Sequence, residues 1–333
     1  MLRIAVLYNQ PQVSRDHPLA ESEWEIIEIA ELVAEELRIP GWLPELWPVH
    51  PNENWRDRMR KNRPDVVFNL FEGFHPGDAT EYEVPAVLDS MGIPYTGNRA
   101  DTLKLCWDKS RLREHLAVQG LPVAQGLAIN RHEEWERALT AFGNQWPLFV
   151  KPARCHASVG IEQSNVVVNV EELRRRCESL LGRFGTVVIE EFLPGREFNI
   201  SVIHLARTQV LPISEIVFHS ADDYHWPVVT YDAKWKTGST ADRCTQPFCP
   251  ARVEAALQRE LETLAQRAFE ALACRQYARI DVRLDRTGRP RILEVNPNPG
   301  YHPDAGFSRA LQAAGWTHSE FTRALVRHAV LGN

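Results

Sequence analysis

With 333 residues, 44% of them hydrophobic and 25% charged, the chain has the make-up of an ordinary globular protein with room for roughly two or three domains. A formal net charge of -6 argues against a general binder of nucleic-acid backbones and leaves space for a local basic pocket. The six cysteines, Cys106, Cys155, Cys177, Cys244, Cys249 and Cys274, form no C-x-x-C pair, so neither a zinc ribbon nor a disulfide framework is indicated and a reducing cytoplasm fits.

The opening residues 1–8 read as a first strand rather than a leader, and no run approaches the ~20 apolar residues of a membrane span. A helix follows over residues 21–37, with Ile26, Ile29, Ala30, Val33 and Leu37 at helical spacing and a solvated acidic face of Glu25, Glu28, Glu31 and Glu35. Residues 66–70 form a continuous apolar run between Pro64 and Gly73, as buried parallel strands do. Residues 1–98 therefore predict an α/β unit with a doubly wound parallel sheet. Its ligand edge lies at the C-terminal strand ends, which places Asn9, Glu72 and the loop 73–78 at a mouth.

A second unit, residues 99–190, contains a helix over 108–118 and strands over 148–151 and 186–190. Lys151 ends the first of these strands and opens a loop of small residues up to Gly160, a plausible anion clamp of ammonium and backbone N–H groups. Neither G-x-x-x-x-G-K-[ST] nor G-x-G-x-x-G occurs. After the second strand, Glu190, Glu191 and Glu197 offer acceptors, while Phe192 and Leu193 offer apolar contact for a ring. A plain strand ending in the turn at Pro194 and Gly195 is the other reading.

The third unit, residues 191–333, carries an extended strand, a polar loop over 229–239, a helix over 252–272, a hairpin and a C-terminal helix. If Thr287 and Gly288 are the hairpin's two-residue loop, Asp281 faces Glu294 and Arg279 faces Asn296. Alternation then puts Ile280, Val282, Leu293 and Val295 on one face and Arg279, Asp281, Glu294 and Asn296 on the other. Two carboxylates and an amide oxygen at such spacing suit Mg²⁺. A solvent-facing hairpin with salt bridges is the alternative, and a loop of odd length would separate Asp281 from Glu294. The Pro- and Gly-rich exit 297–300 favours a site.

These signals occur in one order. Together with residues 67–70, 92–97, Asp108 and Lys109, residues 150–154 and 158–160, and residues 231–234, they resemble the ATP-grasp superfamily, and within it the D-alanine:D-alanine ligase family, over nearly the whole chain. The resemblance implies an ATP-grasp fold of three α/β domains (1–98, 99–190 and 191–333), with ATP sandwiched between the central and C-terminal α+β domains. It implies that Lys109 and Lys151 hold phosphates, that Glu190, Glu191, Phe192 and Leu193 hold the adenine and Glu197 the ribose, and that Asp281, Glu294 and Asn296 hold two Mg²⁺, with Mn²⁺ as an alternative. Arg279, Lys234, Tyr231 and Ser158 would be the catalytic group, with residues 229–239 as a mobile lid. The activity implied is ATP-dependent joining of a carboxylate to an amine through an acylphosphate, on amino acids or small peptides, by a cytoplasmic homodimer without nucleic-acid or membrane partners.

Departures from the family pattern fall at substrate positions. Residues 9–14 replace the first glycine-rich loop, leaving Glu21 or Glu23 as substitutes; Glu72 stands where a histidine is usual, and Cys155, His156 and Ala157 replace Glu-Gly-Ser. Gly300, Asp304 and Ser308 lie in the segment that would hold the acceptor. Acids at Glu72 and Asp304 suggest a substrate with an extra positive group, or a different acceptor. A cell-wall D-alanyl-D-alanine ligase, a ligase for another amino acid or small peptide, and a non-catalytic ATP binder are the three readings this leaves open.

Overall fold

The computed structural model describes residues 1–17, 20–74, 80–221 and 223–331, with the side chains of Glu21 and Ser22 also left aside. Glu21 as a substitute acid and residues 75–78 of the expected mouth loop therefore lie outside the described residues. Three sheets follow one another along the chain. The first is parallel, in the order β2-β1-β3, formed by β1 (Leu2–Asn9), β2 (Trp42–Val49) and β3 (Val66–Asn69). Period-two alternation in β1 divides its residues between two cores. Ile4, Val6 and Tyr8 meet the helix Ala20–Glu36, while Ala5 and Leu7 meet Met59 and Leu88 from the helices Trp55–Lys61 and Glu83–Met91.

The first core is completed from the far end of the chain. Phe307, Leu311, Phe321, Leu325 and Val326, from the helices Gly306–Ala313 and His318–Val330, pack into it. Glu36 fastens the junction. Its carboxylate lies 2.8 Å from His318 Nδ1 and accepts from Thr322 Oγ1 at 2.8 Å, and its carbonyl accepts from Arg323 Nε at 2.8 Å.

The second sheet, in the order β4-β7-β5-β6, comprises β4 (Gly126–Ile129), β5 (Leu148–Pro152), β6 (Val166–Val167) and β7 (Val187–Glu191). The third runs β11-β10-β8-β12-β13, with β9 beside β8. Its strands are β8 (Glu197–His204), β9 (Thr208–Val210), β10 (Ser214–Phe218), β11 (Thr245–Phe248), β12 (Tyr277–Leu284) and β13 (Pro290–Asn296). Both are antiparallel. Leu173, Cys177 and Leu180 of the helix Val170–Phe184 cover the second sheet, and Leu261, Leu264, Ala265 and Ala268 of the helix Ala255–Ala271 cover the third.

The β12–β13 hairpin reaches the expected pairing by a different route. Asp285 N–H donates to the Arg289 carbonyl at 2.8 Å and Gly288, at φ +79°, donates to the Asp285 carbonyl at 3.0 Å, so the loop has three residues, 286–288. That odd loop pairs Leu284 with Pro290 and Val282 with Ile292. A β-bulge at Leu293 then restores Asp281 opposite Glu294 and Arg279 opposite Asn296. Ile292 rather than Leu293 enters the core, and Leu293 turns to the other face.

Candidate active site

A cleft of about 640 Å³ opens between the second and third sheets and runs to the C-terminal ends of the first. Its volume suits a nucleotide-sized ligand with room to spare. Of the residues singled out from the sequence, Glu72, Lys109, Lys151, Ser158, Glu190, Glu191, Phe192, Leu193, Glu197, Lys234, Arg279, Asp281, Glu294, Asn296, Gly300 and Asp304 line it.

Two of the expected site residues do not. Ser308 follows Phe307 into the core side of its helix and is 1% exposed, its hydroxyl without a partner among the described residues. Tyr231 packs its ring against Trp235 with centroids 6.4 Å apart. Asp304 is at the rim with its side chain 92% exposed, too well solvated to exert much selectivity.

The lysines are held by the architecture. Lys151 on β5 and Glu190 on β7 are diagonal neighbours across the ladder, 2.7 Å apart and almost fully buried. Asp108 caps the helix Lys109–Val118 by accepting from Ser110 and Arg111 N–H, and its second oxygen accepts from Arg154 Nε at 2.9 Å. Burial opposes ionisation of Asp108, but these hydrogen bonds outweigh it and its carboxyl sits below the usual range. Lys109 is thereby pinned against the loop after β5: its N–H donates to the Ala153 carbonyl at 3.0 Å, its ammonium to that of Cys155, and the ammonium lies 3.6 Å from Glu294.

On the opposite wall Asp281 accepts two hydrogen bonds from Arg279 at 2.7 Å, with Asn199 at 2.8 Å and Asn296 at 3.0 Å completing its shell. Burial disfavours the charge of Glu294, but Lys109, Lys234, Lys151 and Arg279 overcome it and hold the carboxyl well below the ordinary range. Arg283, unremarked in the sequence although it continues the alternation 279, 281, 283, pairs with Glu197 at 3.2 Å between the rings of Phe192 and Phe218.

The segment expected as a lid is partly helical rather than a plain loop. Thr230 caps the helix Tyr231–Trp235, Tyr231 N–H donates to the Ile161 carbonyl at 3.1 Å, and Trp235 Nε1 donates to that of Ala157 at 3.1 Å. Gln163 exchanges hydrogen bonds with the Trp226 backbone. This clip carries Lys234 to the cleft, where burial and then the charge of Arg279 lower its pKa.

Under the clip, Ala157 and Ser158 adopt φ of +55° and +59°, which costs L-residues roughly 1–2 kcal/mol each. Ala157→Gly removes that strain, and the extra freedom of the unfolded glycine offsets part of the gain. The expected net is stabilisation by ~0.5–1 kcal/mol, read from denaturant midpoints; a destabilised variant would contradict the left-handed backbone. Cys155 is buried, its thiol pushed up first by desolvation, so it is a structural cysteine rather than a reactive thiolate.

Toward the first sheet the wall turns acidic. Glu23, Glu25, Glu72 and Glu81 gather there beside Trp107 and His156. Glu81 is 7% exposed and 3.6 Å from His156 Nε2. Burial, then the charge of Glu72, pushes its carboxyl up to about 8 against a hydrogen bond from Asn298. Glu72 opens onto the cleft, yet protein surrounds its other sides; desolvation, then Glu25 and Glu23, also raises it to about 8. The folded protein thus binds the Glu81 proton more tightly than the unfolded chain does. The associated stabilisation is complete below the ordinary value of 4.5 and is lost as pH rises through about 8. The difference in melting temperature between Glu81→Gln and the parent should accordingly grow in the variant's favour from pH 4.5 to pH 8.5; a pH-independent difference would contradict the shift. Glu81 and Trp107 escaped notice in the sequence because a lone acid before a helix and a core-like tryptophan carry no local pattern.

Two antiparallel sheets closing on one cleft, with lysines on one wall facing paired carboxylates on a β-hairpin of the other, are the arrangement of the ATP-grasp enzymes. Residues 116–327 match the family model described as D-ala D-ala ligase C-terminus. The chain is 33% identical over 270 residues to a D-alanine–D-alanine ligase of Haemophilus influenzae, spanning 80% of this chain and 84% of that one. It is 30% identical over 320 residues to one from Mannheimia succiniciproducens, spanning 96% and 94%. The solved structure of D-alanyl-alanine synthetase A from Vibrio cholerae superposes with a TM-score of 0.80 at 19% identity, covering 99% of both chains. The chain belongs to the D-alanine–D-alanine ligase family, and with it to the ATP-dependent, ADP-forming carbon–nitrogen ligases.

Proposed function

We propose that the protein activates the carboxylate of an amino acid or small peptide with the γ-phosphate of ATP and passes the acyl group to the amine of a second substrate. The observation that carries this reading is the facing of Lys109, Lys151 and Lys234 by Asp281 and Glu294 across one cleft. Phosphoryl transfer needs positioning and charge neutralisation rather than a protein nucleophile. Lys109 and Lys151 clamp the phosphates, and Lys234 and Arg279 neutralise the transferring group and then the oxyanion of the tetrahedral intermediate. Phe192, Leu193 and Leu293 enclose the base beside Glu190 and Glu191, and Glu197, steadied by Arg283, takes the ribose. Ser158 contributes from the loop that covers the phosphates, while Tyr231 supports the clip rather than touching substrate. Gly300 and Asp304 border the acceptor.

Magnesium fits Asp281, Glu294 and Asn296, since Mg²⁺ favours one or two carboxylates shared with substrate phosphates; bound there, it would neutralise developing phosphate charge. Binding would loosen the Arg279–Asp281 pair and free Arg279 for substrate. Among the described residues no helix is long and apolar enough to cross a membrane. Units 1–98, 99–190 and 191–333, cytoplasmic residence and a homodimer complete the proposal.

The test is release of phosphate and ADP from ATP by the purified protein as amino acids and small peptides are supplied singly and in pairs, with and without a chelator. Turnover that requires both an acyl donor and an amine, and is lost on chelation, supports the reading; nucleotide binding without turnover on any substrate overturns it. D-alanine turnover would make this a ligase of cell-wall synthesis.

A further inference from the structure

The cleft's two ends differ in how their acids are compensated. At the phosphoryl end four carboxylates have a cationic partner: Glu190 has Lys151, Glu197 has Arg283, Asp281 has Arg279 and Glu294 has Lys109. At the end beside the first sheet, no lysine or arginine among the described residues pairs with Glu25, Glu72 or Glu81. Glu81 has a hydrogen bond from Asn298 and the His156 ring at 3.6 Å, which desolvation and the charge of Lys109 keep neutral, with its pKa lowered to about 4. Unpaired acids within one concave wall keep their protons, as Glu72 and Glu81 do up to about pH 8, unless a bound cation favours the ionised form.

A second observation points to the same place. Trp107, 7% exposed in the wall of the cleft, has an indole N–H with no partner among the described residues, as does Nε2 of His156 stacked against it at 4.6 Å. Buried polar groups without a partner are rare, and in the wall of a cleft a ligand that displaces their cover supplies one. An ordinary amino acid brings one ammonium and one carboxylate. Its carboxylate belongs toward Arg279 and the phosphates, so one ammonium would answer the three acids Glu25, Glu72 and Glu81.

Resting on the ligase reading above, we propose that the substrate bound at this end is a basic amino acid, whose second cationic group sits among Glu25, Glu72 and Glu81. Glu72, the most open to the cleft, contacts that group directly, and Glu81 holds the deeper position beside His156.

The test uses the purified protein with saturating ATP and magnesium, and phosphate release as readout. D- and L-forms of lysine, ornithine, arginine and 2,3-diaminopropionate are compared with alanine and serine, singly and in pairs. Glu72→Gln and Glu25→Gln are run beside the parent, with melting curves to show that each folds. The expected result is a kcat/KM at least ten-fold higher for a basic amino acid than for alanine. Glu72→Gln should lower it at least ten-fold, mainly through KM, and shrink the preference for the basic over the neutral amino acid by a similar factor. Preference for alanine or serine, or equal losses on neutral and basic substrates, overturns the proposal while the ligase reading stands. Absence of amino-acid-dependent phosphate release with any substrate overturns both.

Discussion

Lys151→Met is expected to destabilise the protein by about 3–5 kcal/mol, the usual consequence of leaving one member of a buried ion pair alone. Lys151 and Glu190 are 6% and 5% exposed, 2.7 Å apart, and set in adjacent strands that cannot separate to admit water. Methionine fills the aliphatic volume and strands the glutamate. Urea denaturation should show the loss at unchanged m-value. Adding Glu190→Gln should recover most of it by removing the orphaned charge, whereas nucleotide affinity, if Lys151 clamps phosphate as proposed, should not return. A single variant within 1 kcal/mol of the parent would show that the pair is not desolvated as its burial implies.

Glu294→Gln is expected to reduce phosphate release by roughly 10³-fold, in the range seen when one preorganised charge-stabilising group is taken from a closed site. The amide keeps the volume, the register opposite Asp281 and one oxygen. It removes the negative charge that Lys109, Lys234, Lys151 and Arg279 stabilise, at the position proposed for the transferring phosphoryl group. Single-turnover rates with a parallel nucleotide titration separate chemistry from binding. A loss below ten-fold with normal affinity would remove Glu294 from the phosphoryl end of the cleft.

How far such residues were legible depended on whether their partners were close in sequence. The hairpin carboxylates were, because strand alternation and a short turn connect residues 281 and 294. Even so, the inferred two-residue loop was wrong, and the pairing held only because the Leu293 bulge compensates an odd loop. Lys151, Glu190 and Glu197 were found as strand-end residues of a familiar order, but the ion pair joining Lys151 to Glu190 depends on cross-strand register that no local pattern encodes. Strand β2 was missed since Pro44 and Pro48 interrupt it; as an edge strand beside β1 it tolerates both. The family resemblance puts Ser308 in the acceptor segment that follows Gly300, and helical phase turns it into the core instead. The acidic wall assembles Glu23 and Glu25 from a helix whose acidic face read as merely solvated with Glu72 and Glu81 from a distant loop, so only the folded chain brings it together.

The closure of the first core by the last two helices has a consequence for biosynthesis. On the ribosome the parallel sheet and the helix Ala20–Glu36 emerge well before Phe307, Phe321, Leu325 and Val326, which complete their shared core. Until then that side of the nascent sheet is covered by the one helix alone, a state that favours aggregation and chaperone capture over early docking. The first core is thus begun early in translation and closed late.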